Sequence, residues 1–363
     1  MIAAMRPTTA HAFLVDEAID MASAEALLST LGQRLIGDGL PLAGGALTQA
    51  APHPIVAQRT WLWRADTGRV IEALGLGLAG SVEPDRADTG RDWLVRLGTG
   101  SVVETATGSA KEGAVLAWAA TRPFSEAESQ LLKEVARFAA APLALLASRS
   151  TSAALLETYL GRRSAAQVLA GQLRRDSGET IRAALLYADL RGFTALSESI
   201  PPHEVVATLD AWFDRIAGAV HAFGGEVLKF IGDGILAIFP IGERGAAAAC
   251  EAALRAVAAA RAGMDHLDRA RAAQGLPPLP FGAALHVGEM LWGNIGTADR
   301  LDFTAIGPAV NLVSRIEGLC RTLGRTVLVS GAFAAETSRP LLHLGEHSLR
   351  GIAEPCAVFA PEE

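Results

Sequence analysis

The pattern that most limits the fold lies just past the middle of the chain, where a strand, a helix and a hairpin follow one another. Residues 183–187 form an apolar run that ends at Asp189, which predicts an interior strand. From Pro202 to Val220 apolar residues recur at helical spacing, until two glycines end the helix. Residues 226–239 then form two β runs around Gly232-Asp233-Gly234, which is the pattern of a hairpin.

The elements that follow complete a recognisable order. An alanine-rich helix is predicted over about 245–274, and strands over 281–287 and 301–306. A helix over 308–323 and a strand over 326–330 come last. The order β-α-β-β-α-β predicts a ferredoxin-like domain of the α+β or α/β class, with additional elements behind it.

The rest of the chain predicts a second domain and a connector. The first 124 residues hold short apolar runs separated by turn signals, which favour a small mixed α/β unit. Ser125 and Glu128 have capping-box spacing ahead of a helical pattern that reaches about Leu160, with a kink or break expected at Pro142. The expected parts are an N-terminal domain (1–124), a helical connector and dimerisation segment (125–180) and a C-terminal domain (181–363).

Composition excludes several classes of protein. Half of the 363 residues are apolar, but the longest uncharged stretch, 39–58, is interrupted by prolines and glycines, so we expect no membrane span. The net charge of −7 gives no electrostatic basis for binding nucleic acid. Cys250, Cys320 and Cys356 are far apart and odd in number, which favours reduced thiols and a cytoplasmic location.

Two aspartates are the candidate metal ligands. Asp189 ends a strand and Asp233 lies at the hairpin tip, and these places adjoin in a ferredoxin-like sheet. Mg²⁺ or Mn²⁺ takes one or two protein carboxylates together with water and phosphate oxygens. The backbone amides of Gly192, Phe193 and Thr194 open a helix, where phosphate binds well. For either aspartate alone a solvated turn or helix cap is the better interpretation, and only their shared place in the sheet makes a metal site an equal alternative.

Three blocks of sequence resemble the class III nucleotidyl cyclases. They are ADLRGFT at 188–194, GEVLKFIGDG at 225–234, and DFTAIG at 302–307 running into VNLVSR at 310–315. The resemblance covers about residues 181–363. It implies that two metal ions assist attack of a ribose 3′-hydroxyl on the α-phosphate of a nucleoside triphosphate, with release of pyrophosphate.

The same resemblance implies a role for each matched residue. Asp189 and Asp233 would bind the two Mg²⁺ or Mn²⁺ ions, Asn311 would position the ribose, and Arg315 would stabilise charge on the α-phosphate. Residues four apart on a helix share a face, and a planar guanidinium suits a phosphoryl group that gains charge. Without the family, Asn311 and Arg315 would be an ordinary polar helix face. Pro308 stands where the family often has an acidic residue, and proline is well tolerated in the first turn of a helix.

The choice of base follows from Lys229 and Thr304, which match the purine-selecting pair of the family. A lysine ammonium only donates hydrogen bonds, so it suits adenine N1 and opposes the protonated N1 of guanine. A threonine hydroxyl can accept from the adenine amino group. ATP is therefore the expected substrate. Threonine at this position also resembles a bicarbonate-responsive subgroup of the family, so bicarbonate is a candidate ligand.

The resemblance further implies a head-to-tail homodimer, because the metal aspartates and the Asn/Arg pair of one site come from different subunits. The N-terminal part faintly resembles a GAF-like sensor of a small molecule, and a dimerisation domain without a ligand is the alternative. We therefore predict a cytoplasmic adenylate cyclase under the control of a sensor domain. The alternatives are a catalytically inactive nucleotide-binding module and a diguanylate cyclase, which is disfavoured because the hairpin lacks a GG(D/E)EF-type sequence.

Overall fold

The chain forms two compact units, Met1–Tyr159 and Leu160–Glu363. The computed structural model describes residues 8–50, 56–76, 88–97, 100–108, 113–172, 174, 178–297 and 299–362. Within these ranges no helix is both long and apolar enough to cross a membrane. The three cysteines are free thiols, as the sequence predicted, and burial raises the pKa of Cys250 to about 12.

The first unit is built on a five-stranded antiparallel sheet in the order β3-β2-β1-β5-β4. Its strands are β1 (Leu42–Ala50), β2 (Val56–Arg64), β3 (Val70–Leu76), β4 (Val102–Ala106) and β5 (Val115–Ala120). Its helices are α1 (Thr9–Ala12), α2 (Ala24–Gly37), α3 (Asp88–Leu97) and α4 (Glu126–Leu160). A core containing Trp63 and Trp118 joins one face of the sheet to α2 and α4, and Leu94 of α3 packs on the other. The unit is mixed α/β as expected, and its likeness to a GAF domain stays a prediction.

Helix α4 corrects the expectation of a break at Pro142. Its N-terminus has the predicted capping box, in which Glu128 N donates to Ser125 Oγ at 3.2 Å and Ser125 N donates to Glu128 Oε2 at 2.8 Å. The helix is 35 residues long and continues through Pro142 without a break, although proline cannot donate the usual backbone hydrogen bond. Pro142 is buried beside Leu143 on the packed face of the helix. Tertiary packing therefore maintains the helix where its local hydrogen bonding is weakest.

The other face of α4 carries a largely exposed stripe, half-buried only at Leu145, whose members are spaced alternately three and four residues apart. The stripe consists of Phe138, Ala141, Leu145, Ser148, Ser152, Leu155 and Tyr159. Phe138, Leu155 and Tyr159 are 51%, 47% and 82% exposed, respectively. This spacing is the 3.5-residue repeat of a coiled-coil seam. We call these seven residues the α4 stripe.

The second unit contains one eight-stranded sheet. The order is β12-β13-β11-β9-β6-β8-β7, and β10 pairs with β9 beside this path. Its strands are β6 (Gly178–Leu190), β7 (Glu226–Ile231), β8 (Gly234–Pro240), β9 (Phe281–Gly296), β10 (Leu301–Ile306), β11 (Val327–Ser330), β12 (Leu341–His347) and β13 (Cys356–Pro361). Its helices are α5 (Arg162–Leu169), α6 (Phe193–Ser199), α7 (Pro202–Ala222), α8 (Gly245–Ala272), α9 (Pro308–Glu317), α10 (Leu319–Thr322) and α11 (Gly331–Ala334). The core order β9-β6-β8-β7, with α7 and α8 as the connecting helices, confirms the ferredoxin-like prediction.

Strand β6 lies at the centre of this unit because both of its faces are apolar. It pairs with β8 on one side and along all 13 of its residues with β9 on the other. Ala184 and Leu186 pack towards α7 and α8, while Ala183 and Leu185 pack in the core that includes α9. The apolar run read from the sequence is thus a fully interior strand.

Two element boundaries differ from the sequence-based expectation. Strand β9 does not end at residue 287 but continues to Gly296, since Gly288 and Gly293 interrupt the apolar pattern without interrupting the pairing. The helix expected over 308–323 is divided at Gly318 into α9 and α10. Both differences matter because β9 and α9 flank the candidate site.

Two glycines provide a matched test of this packing. A Cβ atom at Gly225, just before β7, would lie 2.7 Å from Phe239 Cε1 and Val220 Cγ1, so we expect Gly225→Ala to lower the free energy of unfolding by about 1–3 kcal/mol. A Cβ atom at Gly218, inside α7, would meet nothing within 4 Å, so Gly218→Ala should raise it by about 0.5–1 kcal/mol. Urea denaturation measures both. Equal effects of the two substitutions would contradict the packing described here.

Candidate active site

The structure brings the two predicted metal-binding aspartates together. Asp189 is the penultimate residue of β6, and Asp233 lies in the two-residue turn closed by the Ile231–Gly234 pair of the β7–β8 hairpin. The turn needs Gly232, whose φ of +63° lies in the left-handed region. The indole Nε1 of Trp212 in α7 donates to the backbone oxygen of Asp233 at 2.9 Å, which fixes the hairpin tip against the helix.

The hairpin tip approaches β6 closely because Gly234 has no side chain. A Cβ atom at this position would lie 2.7 Å from the hydroxyl oxygen of Tyr187. Tyr187 and Asp189 are two residues apart on β6, so their side chains point to the same side of the strand. Burial and the charges of Asp189, Glu317 and Asp233 raise the pKa of Tyr187 to about 12, so its hydroxyl stays protonated at neutral pH.

Asp189 lies among other negative charges and is half-buried. Burial, a hydrogen bond with Asp233 and the negative charges of Asp233 and Glu317 raise the pKa of Asp189 to about 7. Its Oδ1 atom is buried without a hydrogen-bond partner in the part of the chain that the structure describes. A buried carboxylate oxygen with no donor beside a second carboxylate fits a divalent cation.

Glu317, the last residue of α9, is a third carboxylate that the sequence reasoning missed. Its Oε1 atom occupies the place where a Cβ of Gly282 would stand, and Gly282 is paired with Asp189 across β6 and β9. Burial raises the pKa of Glu317, the positive charge of Arg191 lowers it, and the charge of Asp233 adds to the rise. The only sequence signal for this contact is a glycine inside a strand, which often marks close approach of another group.

The segment predicted to receive phosphate begins α6. Gly192 is the N-cap residue, with a φ of +74° that favours glycine, and Phe193 and Thr194 form the first turn. No described side chain caps this terminus, so the first backbone N–H groups are left for solvent or a ligand. Arg191 precedes Gly192, and its guanidinium donates to the backbone oxygen of Arg325. This hydrogen bond joins the start of α6 to the segment just before β11.

Asn311 and Arg315 lie one turn apart on α9, as predicted. The helix buries Ala309, Val313 and Ile316, while Asn311 and Arg315 are exposed. Arg315 makes no ion pair with any residue that the structure describes. Pro308 is the first residue of the helix, where it is structurally favoured. This polar face is therefore available to a ligand or to another chain.

Lys229 and Thr304, the predicted base-selecting pair, are linked by a residue to which the sequence reasoning assigned no role. The ammonium of Lys229 on β7 forms an ion pair with the carboxylate of Asp302 on β10. Asp302 and Thr304 are two residues apart on β10, so they share a face of that strand. The ion pair thus holds the Lys229 ammonium on the side of β10 that carries Thr304.

The donor set suits a cation that is shared with a substrate. The described residues contain no group of three or more His, Cys, Asp or Glu side chains arranged to hold a metal ion by themselves. Mg²⁺ and Mn²⁺ do not require such a set, because water and phosphate oxygens complete their coordination. Asp189 and Asp233 are thus the residues that would hold the metal ions.

Comparison with known families identifies the domain. Residues 176–344 match the family described as the adenylate and guanylate cyclase catalytic domain. The chain is 33% identical over 168 residues to an adenylate cyclase of Anabaena cylindrica, covering 45% of this chain and 32% of that protein. It is 31% identical over 211 residues to adenylate cyclase 2 of Rhizobium meliloti, covering 55% of each. The chain therefore spans about a third to a half of the length of these relatives.

Solved structures of nucleotide cyclases have a similar fold. A bacterial light-regulated adenylyl cyclase matches 72% of this chain and 86% of its own, with a TM-score of 0.53 and 18% sequence identity. This level of identity speaks for the fold alone. The family match, which covers residues 176–344, places the likeness to class III nucleotide cyclases in the second unit.

The raised pKa of Asp189 predicts how stability depends on pH when metal is absent. A carboxyl group whose pKa is about 7 in the folded state and about 3.8 in the unfolded state favours folding at low pH, and this contribution is lost as the pH rises through 7. With EDTA present, the melting temperature should fall between pH 5 and pH 8. In Asp189→Asn the fall should be smaller by the equivalent of about 1–2 kcal/mol, after allowance for solvent screening.

Differential scanning fluorimetry across this pH range makes the measurement. The exposed Asp214 of α7 gives a matched control, since Asp214→Asn should keep the pH dependence of the unmodified protein. Identical pH profiles for Asp189→Asn and the unmodified protein would show that repulsion at Asp189 is not the cause.

Proposed function

We propose that this protein is an adenylate cyclase that converts ATP into 3′,5′-cyclic AMP and pyrophosphate. The observation that supports it most is the pairing of Asp189 and Asp233 at the end of β6, with a buried carboxylate oxygen that lacks any donor. This arrangement lies inside a domain of the cyclase family. Identities of 31–33% over half of the chain leave the substrate to be argued from the residues themselves.

The proposed reaction is a single displacement at phosphorus. The ribose 3′-oxygen forms a bond to the α-phosphorus while its hydroxyl proton passes to solvent water, the bond from that phosphorus to the bridging oxygen breaks, and pyrophosphate leaves with the electron pair. Asp189 and Asp233 would hold two Mg²⁺ or Mn²⁺ ions, which supply activation of the hydroxyl and stabilisation of the leaving phosphate. The N–H groups that follow Gly192 would receive phosphate oxygens.

The exposed face of α9 would complete the site from a second subunit. Arg315 would stabilise the charge that develops on the α-phosphate, and Asn311 would position the ribose. Both side chains face outward from their own unit, which favours a site shared between two copies. The α4 stripe supports such a homodimer, since its 3.5-residue spacing and exposed apolar side chains suit a parallel helix pair.

Selection of adenine would depend on Lys229, Asp302 and Thr304. The Lys229–Asp302 ion pair is partly exposed, with the two side chains 33% and 60% accessible, so a base can reach the ammonium. Lys229 would donate to adenine N1, and Thr304 would accept from the adenine amino group. Guanine would present a protonated N1 to a group that only donates, which disfavours GTP.

We further propose that an N-terminal domain at residues 1–124 regulates the cyclase through the connector at 125–180. The proposed location is the cytoplasm, and the proposed substrate is ATP. A small molecule or bicarbonate is the proposed signal. The competing proposal, an inactive nucleotide-binding module, is disfavoured because Asp189, Asp233 and Arg315 are all present. A diguanylate cyclase is disfavoured by the hairpin sequence IGDG.

An assay of purified protein tests both the activity and the base preference. With Mn²⁺ or Mg²⁺ we expect cyclic AMP from ATP, and cyclic GMP from GTP at a kcat/KM about 100-fold lower. Asp302→Asn frees the Lys229 ammonium, so it should lower kcat/KM for ATP by about 3- to 10-fold and leave the value for GTP nearly unchanged. Chromatography of the products gives both rates.

The exposed Asp299, which accepts a hydrogen bond from Thr297 in the same turn, is the control, and Asp299→Asn should leave both rates unchanged. The absence of any cyclic nucleotide from folded dimer would refute the proposed enzyme. A preference for GTP would refute the assignment of the base-selecting residues.

Mixing two inactive variants tests whether the site is composite. Asp189→Ala and Arg315→Ala should each be inactive as homodimers. Co-expressed in equal amounts, they should recover about a quarter of the unmodified activity, because half of the dimers are mixed and each mixed dimer keeps one intact site. Mixed dimers isolated with two affinity tags, yet inactive, would show that each site is formed within one chain.

A further inference from the structure

Arg163 forms a polar link between the start of the second unit and its central sheet. Its Nε donates to Glu226 Oε2 and its Nη2 donates to Glu226 Oε1, both at 2.8 Å, and its Nη1 donates to Glu179 Oε2 at 3.3 Å. The Arg163 side chain is only 24% exposed, and the contacts with Glu226 raise its pKa. A two-pronged, partly buried ion pair of this kind has defined geometry as well as attraction. The three side chains together are called the Arg163 clamp below.

The clamp holds the two strands that lead to the proposed active site. Glu179 is the second residue of β6, which ends at Asp189, and Glu226 is the first residue of β7, which carries Lys229 and leads to Asp233. The two strands are not neighbours, because β8 lies between them. One guanidinium therefore links the starting ends of two strands that are not paired with each other.

The position of Arg163 in the chain connects the clamp to the long helix α4. A single residue, Gly161, separates α4 from α5, and its φ of +78° breaks the helical path. Arg163 is the second residue of α5. The end of α4 and the side chain that joins β6 and β7 are therefore only three residues apart along the chain.

We propose that the Arg163 clamp is the coupling element through which α4 controls the catalytic unit. Movement of α4 changes the force on Glu179 and Glu226, and the strands carry this change to Asp189, Asp233 and Lys229. This role rests on the proposed regulation through the connector, and on the proposed cyclase function for its kinetic readout. The alternative is that the clamp merely stabilises the unit, and the two roles differ in how Arg163 interacts with changes made in α4.

A one-residue insertion provides the perturbation. One alanine placed between Leu160 and Gly161 turns everything that follows by about 100° relative to α4, and it leaves the α4 stripe, which ends at Tyr159, unchanged. Seven inserted residues restore nearly the same phase and are the matched control. We expect the single alanine to change kcat by about fivefold or more, and the seven-residue insertion to change it by less than twofold.

The proposal is decided by repeating both insertions with Arg163→Gln. If the clamp carries the coupling, the single alanine should change kcat by less than twofold in this background. A fold-change equal to that in the unmodified protein, or no effect of the single alanine in the unmodified protein, overturns the proposal. Arg163→Lys, which keeps the charge and loses the two-pronged contact, serves in the same comparison if Arg163→Gln leaves too little activity. Arg255→Gln, which removes an exposed ion pair with Glu251 on α8, should leave the effect of the insertion intact.

Hydrogen–deuterium exchange makes the result independent of catalysis. The single alanine should speed amide exchange in β7 of the unmodified protein and leave exchange in β7 of Arg163→Gln unchanged. This pattern without any cyclase activity would separate a correct coupling proposal from a wrong functional one. Identical acceleration of exchange in both backgrounds would refute the coupling.

Discussion

Asp189 and Asp233 repel each other, and the rest of the second unit must hold them together against this repulsion. Asp189 and Asp233 come from different elements and would separate if the chain were free to let them. They stay together because β6 is paired on both sides and buried on both faces, and because Trp212 and the small Gly234 fix the hairpin tip against it. Burial of the apolar sheet therefore offsets the destabilisation caused by the charged site, which is a common relation between scaffold and function.

Most of the second unit could be predicted from its sequence because local signals and tertiary packing agree there. The apolar run before Asp189, the amphipathic helix from Pro202 and the glycine turn at Gly232 each have one strongly preferred structure. The adjacency of Asp189 and Asp233 followed from the order of the elements alone. The extension of β9 through Gly288 could not be predicted, since its pairing is set by β6 and β10 and not by its own pattern.

The residues that sequence reasoning missed act through long-range contacts. Asp302 meets Lys229 across 73 positions of the chain, and Glu317 approaches β9 at Gly282, which is paired with Asp189, only because that residue has no side chain. Arg163 meets Glu226 across 63 positions. None of these side chains has a local pattern that differs from an ordinary surface charge. In the same way, Pro142 gives a strong local signal for a break, and the packing of α4 overrides it.

The third carboxylate, Glu317, has a consequence for the life of the protein in a cell. Its charge adds to those of Asp189 and Asp233, so a divalent cation bound to the two aspartates would favour the folded chain over the unfolded chain, and cation and nucleotide would shift the folding equilibrium by mass action. The fraction of molecules open to proteases would then vary with the supply of magnesium and nucleotide. A cell starved of either would hold fewer copies of the protein, and its abundance would follow the energy state of the cell without any dedicated regulator.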